Sequence, residues 1–318
     1  MAKKIAVGID IGGTLTKVGL VDREGNLYAH LDFPTGDYPD FDEYLDTLKK
    51  HIDSLVAGID FEIEITGIGI GAPNANYYRG TIEHAANLVW KGYVPIVEKF
   101  KKRYDLPIFM TNDANAAAIG EMIYGNAQEM KDFIVITLGT GLGSGIVANG
   151  KLIYGFDSQA GELGHVQIVD GGRMTGMGRR GGLEAYVSST GLKRTVFFLL
   201  ADSLEESVLR DYSYHQLHGE IITKAAEAGD PIACEAYRLT GEYLGKQLAN
   251  FVAFSHPEAI FLLGGLAKSG KWIFEPTKKY LEEYLLPFYK DKVKLLPSGM
   301  MNKNAAILGA AALVWDHQ

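Results

Sequence analysis

The chain has 318 residues, 47% hydrophobic and 22% charged, with a formal net charge of -8. That length makes two domains or one large one with a substantial core, and the ordinary composition excludes disorder and fibrous repeats. The acidic balance argues against a binder of nucleic-acid phosphates, which needs clustered Lys and Arg, and the single cysteine, Cys234, can form neither an intrachain disulfide nor a thiolate metal site.

Residues 4–10 and 16–22 are β-rich runs on either side of Gly12-Gly13-Thr14, and 22–26 form the next turn, so the chain opens as a hairpin meander. Lys3 and Lys4 precede an apolar run that Asp10 soon breaks, unlike a signal peptide, and no run reaches the ~20 apolar residues of a membrane helix. A cytoplasmic protein is expected. Apolar spacing predicts a helix over 41–57, a strand over 63–70 running into Gly71-Ala72-Pro73, and a helix over about 92–104. A strand over 108–111 stops at Asn112-Asp113, and 114–121 read as a helix, which puts a polar pair at a strand-to-helix junction. A strand over 133–138 leads into a glycine turn, Gly139 to Gly145, and a further strand to Ala148. Residues 158–186 are glycine-rich with little periodicity and read as an ordered functional loop. Most of 191–254 is helical in pattern, 259–263 form a strand ending in Gly264-Gly265, and 305–315 a closing helix.

The two strand–glycine–strand units, around Gly12 and around Gly139, share a layout at low identity; a duplicated domain with one phosphate-binding hairpin per copy accounts for this, with coincidence between two glycine turns as the alternative. Glycines let backbone N–H groups approach an anion without a Cβ in the way, and Asp10 would face a magnesium ion through water. The same turn also serves as a plain hairpin. A strand follows Gly139–Gly145 where a dinucleotide fold needs a helix, and Trp272 stands where a P-loop needs Ser or Thr, so both of those readings fail. Asp113 suits a general base for phosphoryl transfer, although a helix cap, a role open to Asn112 too, explains an isolated Asn-Asp pair as well. Glu162, His165 and Glu184 can form the hydrogen-bond fan that sugar hydroxyls require, or be solvated loop residues.

Asp10-Ile-Gly-Gly-Thr14, Gly69-Ile-Gly-Ala-Pro73, Asn87-Leu88, Asn112-Asp113-Ala-Asn115, the glycine turn from Leu138 to Gly145, Gly161-Glu-Leu-Gly-His165, Leu183-Glu184 and Leu263-Gly-Gly265 occur in this order across almost the whole chain. Together they resemble the ROK group of sugar kinases and sugar-responsive repressors, within the actin, Hsp70 and hexokinase superfamily. The resemblance implies an α/β, two-lobed actin-like ATPase (ribonuclease H-like) fold, a duplicated domain with a central cleft. The lobes would be 1–114, with helix 303–318 packing back on the first, and 115–302. It implies an ATP- and Mg²⁺-dependent hexose kinase, glucokinase first, in the form of a homodimer. Asp113 would be the base, Asn87, Asn112, Glu162, His165 and Glu184 would hold the sugar, and Asp10 would face Mg²⁺. Gly12, Gly13, Thr14, Thr137, Gly139, Thr140 and Gly141 would line the phosphates, with Gly264 and Gly265 on the adenosine side.

A kinase for an N-acetylated hexosamine is the alternative within that reading, and a sugar-responsive regulator the alternative outside it. A repressor's helix-turn-helix is not expected, since the first hairpin begins within ten residues of Met1. The group commonly binds zinc through a His and three cysteines, but Thr175, Met177 and Gly182 occupy the cysteine positions here, so no zinc is expected and the loop over 173–182 must be ordered otherwise. Asn74 stands where glycine is frequent, and Asn tolerates the left-handed backbone such a turn needs.

Overall fold

A computed structural model describes residues 2–317. Strands β1 (Lys3–Ile11), β2 (Leu15–Val21) and β3 (Leu27–Pro34) form the opening meander, and helix α1 (Phe41–Ala57) leads to β4 (Ile63–Gly71). Three short strands follow, β5 (Ala75–Asn76), β6 (Thr81–Glu83) and β7 (Tyr93–Val94), then α2 (Ile96–Lys101), β8 (Ile108–Thr111) and α3 (Asp113–Tyr124). The second half holds β9 (Phe133–Leu138), β10 (Leu142–Ala148), β11 (Lys151–Leu152), α4 (Ser189–Asp202), α5 (Gly219–Glu227), α6 (Pro231–Ser255), β12 (Ala259–Leu263), α7 (Lys271–Tyr284), β13 (Lys294–Pro297) and α8 (Ala305–Asp316).

The strands make two five-stranded mixed sheets, in the orders β3-β2-β1-β4-β8 and β11-β10-β9-β12-β13. In each sheet the first three strands in sequence run antiparallel, and the last two join parallel beside the first. This is the two-sheet α/β architecture expected of an actin-like fold, and the same topology twice is the layout of a duplication.

Alternation along the strands explains what covers each face. Ile5, Val7, Ile9 and Ile11 of β1 pack under Tyr44, Leu45 and Leu48 of α1, while Ala6, between them, meets Ile307, Ala311 and Val314 of α8. In the second sheet Ile134 and Ile136 face the helical cluster of α4 to α7, and Phe133 and Val135 face Ala117 and Ala118 of α3. Helices α8 and α3 thus fill equivalent places on the two sheets. They touch each other through glycine: a Cβ on Gly309 would lie 2.7 Å from the Ala116 carbonyl oxygen, and one on Gly120 2.9 Å from Gly309 Cα. Away from this joint, segment 76–79 is tied to 157–158 by Tyr77 N donating to Ser158 Oγ at 2.8 Å and by the Arg79–Asp157 ion pair.

The helix expected over about 92–104 is a correction: Tyr93–Val94 is strand, and α2 covers only Ile96–Lys101. Pro95 at its N-cap holds the preceding residue in extended backbone. Helix α7 and the strands β5 to β7 and β13 carry no clear signal in the sequence.

Candidate active site

The two hairpin turns are the same length, three residues each: Gly12-Gly13-Thr14 between β1 and β2, and Gly139-Thr140-Gly141 between β9 and β10. Each is closed by a backbone bond, Gly12 N to Leu15 O and Gly139 N to Gly141 O, both at 3.0 Å. Between the sheets lies a cleft cavity of about 600 Å³, lined by Asp10, Asn87, Asn112, Asp113, Thr137, Gly139 to Ser144, Glu162, Glu184, Gly264 and the first residues of α8, Ala305 and Ala306.

Asp113 is the first residue of α3. The cap is Asn112, whose Oδ1 accepts from Asn115 N at 2.7 Å, leaving its amide Nδ2 for other partners. One oxygen of Asp113 accepts from its neighbour Ala114 N at 2.9 Å. Asp113 is exposed toward the cleft, yet the desolvating protein mass around its carboxyl pushes its pKa up, against the pull of nearby backbone N–H groups. Burial pushes Asp10 up to about 6, with the charge of Asp113 adding and that of Lys17, its cross-strand partner, opposing.

His165 and Glu184 lie in two single 3-10 turns of the glycine-rich segment, Leu163–His165 and Leu183–Ala185, and Glu162 immediately precedes the first. Ser144 of β10 pins the first turn: its buried hydroxyl donates to Gly161 O and accepts from Leu163 N at 3.3 Å. His165 Nε2 is 3.7 Å from Glu162 Oε2. Desolvation pushes the Glu162 carboxyl up, His165 opposes this, and Asp113 and Glu184 add to it. One oxygen of Glu184 accepts from Leu142 N at 3.2 Å, so this carboxylate bridges the second hairpin and the glycine-rich segment.

The segment over 173–182 is ordered by polar contacts. Thr175 N donates to Arg179 O at 2.7 Å, Met174 pairs with Arg180, and Gly182 pairs with Gln167. Arg173 N donates to Tyr186 Oη at 2.9 Å, its Nη1 to Thr195 Oγ1 at 2.8 Å, and its guanidinium lies over the Tyr186 ring. Thr175 packs where a Cβ of Gly182 would lie, 2.8 Å from its methyl carbon.

Four carboxylates line the cleft, and no Lys or Arg does. A polyphosphate in such a cleft would need backbone N–H groups, helix N-termini and a divalent cation to hold it. The residues suit all three: the glycine turn Gly139 to Gly141, the starts of α3 and α8, the latter without a side-chain cap, and the oxygen donors Asp10 and Asp113 that a hard cation prefers. Among the described residues no group of three or more His, Cys, Asp or Glu forms a protein-only metal cage.

The cleft therefore brings together Asp10, Asn87, Asn112, Asp113, Thr137, Gly139, Thr140, Gly141, Glu162, Glu184 and Gly264. His165 lies on a neighbouring cavity that shares Asn87 and Glu184. Gly12, Gly13, Thr14 and Gly265 do not line the cleft. Gly13 instead abuts Asn87, where a Cβ would come 2.5 Å from the carbonyl oxygen. Gly264, at φ +106, lies against Leu138, with a Cβ position 2.6 Å from its carbonyl oxygen. Asn74 takes φ 51 and anchors its turn by donating to Glu83 O at 3.0 Å. The sequence reading missed Ser144, Gly143 and the start of α8; the strict glycine alternation through Gly145 was the available signal for the first two.

Comparison with known proteins bears on the chain as a whole. The model of the ROK family matches residues 6–317. A glucokinase of Halalkalibacterium halodurans is 32% identical over 99% of this chain and 96% of its own. A ROK family glucokinase from Streptomyces griseus, solved in complex with glucose and AMPPNP, superposes with a TM-score of 0.81 at 32% identity, covering 97% of this chain and 98% of that one. The xylose repressor of Bacillus subtilis is 26% identical over 98% of this chain and 77% of the repressor.

Proposed function

This chain belongs to the ROK family, and we propose that it is a sugar kinase that transfers the terminal phosphoryl group of ATP to a hexose, glucose first. One observation carries the reading: Asp113 lines one cleft together with the glycine turn Gly139 to Gly141 and the polar side chains of Asn87, Glu162 and Glu184. The similarity to glucokinases, one of them solved with glucose and AMPPNP, supports the same assignment.

In this reading Asn87, Asn112, Glu162, Glu184 and His165 hold the sugar hydroxyls, and Asp113 takes the proton of the primary hydroxyl at C6. The freed oxygen forms a bond to the γ-phosphorus as the bond to the β,γ-bridging oxygen breaks, and ADP leaves. The raised pKa of Asp113 strengthens it as a base. Backbone N–H groups of the Gly139 to Gly141 turn and the starts of α3 and α8 would face the phosphoryl oxygens, with Gly264 toward the adenosine. Asp10 would hold Mg²⁺ through water, which supplies positive charge against the phosphate oxygens. Residues 1–114 with the closing helix, and 115–302, would move as the two lobes, and their closure excludes water as a competing acceptor. The loop over 173–182 needs no zinc in this reading, and stoichiometric zinc in the purified protein would refute that.

ADP release should be measured with ATP and Mg²⁺ across glucose, mannose, fructose, N-acetylglucosamine and N-acetylmannosamine. Glucose should be phosphorylated, and Asp113→Asn should lower turnover about 10²–10⁴-fold with glucose binding retained in calorimetry. No ADP release with any sugar overturns the kinase reading, and wild-type turnover in the variant overturns the base.

A further inference from the structure

Asp113 opens helix α3, and about two turns further along the same helix stands Glu121, a carboxylate with no part in the proposed transfer. It is fully buried, and no Lys, Arg or His among the described residues pairs with it. Hydrogen-bond donors alone meet its oxygens. Oε1 accepts from Asn126 N at 2.8 Å and from Gly299 N at 2.9 Å, and Oε2 accepts from the Ser298 hydroxyl. Ser298 Oγ in turn accepts from Met300 N at 3.0 Å, which leaves its hydrogen for Glu121. We propose that Glu121 is a positioning residue: it clasps segment 298–300 to α3 and so sets the start of α8 in the cleft at a fixed place relative to Asp113. The proposal rests on the sugar-kinase reading of the cleft.

Connectivity is the first argument. Residues 298–304 join β13 to α8, whose first residues, Ala305 and Ala306, line the cleft. Lys303 N donates to Met300 O at 3.0 Å and Ala305 N to Lys303 O at 2.8 Å, so the clasped segment runs into α8 through short backbone bonds. Asn304 at the cap makes no side-chain cap bond, so the helix start takes its position from the segment before it and from packing. Ser298 N also donates to Leu262 O of β12 at 3.0 Å, beside the cleft-lining Leu263 and Gly264. One carboxylate thereby ties together the helix that carries Asp113, the start of α8 and the end of β12.

Chemistry is the second argument. An apolar side chain of similar volume would avoid the cost of desolvating a carboxylate, but it would accept none of the three donors. A glutamine keeps an oxygen for the two N–H groups yet turns a second donor toward the Ser298 hydroxyl. Fit is the third. A Cβ on Gly125 would lie 2.5 Å from Glu121 Oε1, one on Gly299 2.8 Å from Asn126 N, and one on Gly120 2.8 Å from Met300 Cε, so segment and helix close directly on each other. The small-residue joint between α3 and α8 sets how near the helices come. Directional hydrogen bonds from Glu121 set where along each other they stop.

The test compares Glu121→Gln, Ser298→Ala and the double variant with the wild type, by steady-state kinetics with ATP, Mg²⁺ and glucose and by calorimetric titration of glucose. The stoichiometry of glucose binding counts the folded sites, and rates are expressed per site. Glu121→Gln should lower kcat/KM for ATP about tenfold and leave the Kd of glucose within about twofold. Ser298→Ala should lower it about threefold, and the double variant should fall no further than Glu121→Gln alone, because both changes break one hydrogen-bonded unit. Wild-type kcat/KM for ATP per site in both single variants overturns the positioning role. So does a loss confined to the stoichiometry, with the remaining sites fully active, since that is a role in folding only. If Glu121→Gln does not fold, Ser298→Ala decides by the same readout. No ADP release by the wild type with any sugar fails the kinase reading, and the positioning role with it.

Discussion

The two hairpins share a strand–glycine–strand layout and differ in closure and chemistry, Ile11 pairing with Thr16 across the first turn and Leu138 with Leu142 across the second. Each is a three-residue glycine turn between antiparallel strands at the centre of a five-stranded sheet. At the same point of the register, one residue before the last pair, the first has Asp10 opposite Lys17 and the second has Thr137 opposite Gly143. A Cβ on Gly143 would stand 2.7 Å from Thr137 Oγ1 and 2.8 Å from Ala114 Cβ, so glycine there lets the start of α3 approach the second sheet. The turns differ too. Gly13 abuts Asn87, whereas a Cβ on Gly139 would meet nothing within 4 Å. The first hairpin carries the charged pair Asp10 and Lys17 and rests on Asn87; the second carries the uncharged pair Thr137 and Gly143, is open only at Gly139, and rests on Glu184 through Gly141 and Leu142. A duplicated frame thus supplies one side suited to a cation and one suited to backbone contact with phosphate.

The comparison is sharpest at the paired polar positions. Asp10→Asn should lower kcat by about 10²-fold or more, and Thr137→Val by about tenfold with the larger effect on the KM for ATP. Equal losses in the two variants would break the distinction between a charged and a neutral hairpin.

The glycines come next. Gly13→Ala forces the Asn87 carbonyl to move and should cost about 1–3 kcal/mol of stability while raising the KM for the sugar. Gly139→Ala should leave thermal stability unchanged and alter only the KM for ATP. Thermal melts and steady-state kinetics on both variants decide this, and a destabilised Gly139→Ala would contradict the open turn.

Two smaller effects follow from Asp113. Its pKa is raised in the folded protein, so the base is lost as pH falls through a value above the ordinary ~3.9 of aspartate. The acid limb of the kcat/KM profile should lie above that value and vanish in Asp113→Asn. By linkage, a carboxyl whose pKa rises on folding favours the folded state while protonated and loses that contribution as pH rises through the shifted value. At pH above that shifted value Asp113→Asn should therefore raise Tm slightly, the exposure of the carboxylate to the cleft keeping the effect small. A fall in Tm would mean that the interaction with Ala114 N outweighs the desolvation.

Much of the frame was legible in advance because strands and glycine turns signal locally: the period of two, the three-residue turns and the repeat of one layout need only neighbours in sequence. Asn112 and Asp113 show where that ends. Both residues suit a cap, and only the helix geometry assigns the cap to Asn112 and leaves Asp113 at the first helical position in the cleft. Helix α7 was missed because Pro276 lies inside it and Gly270 before it, both breakers by rule, yet Gly241 and Gly245 of α6 take it in: a Cβ on Gly241 would lie 2.6 Å from Pro276 Cβ.

By itself, then, the sequence determined the fold class, the duplicated hairpins and the residue types of the cleft, since these depend on local backbone preference and on chemistry carried by single side chains. Only the tertiary structure decided which of these residues meet. Gly13 rests on Asn87 rather than lining the cleft, Glu184 joins the second hairpin to the glycine-rich segment, and the start of α8 arrives from the far end of the chain. Such meetings depend on how distant faces pack, and no local pattern records that.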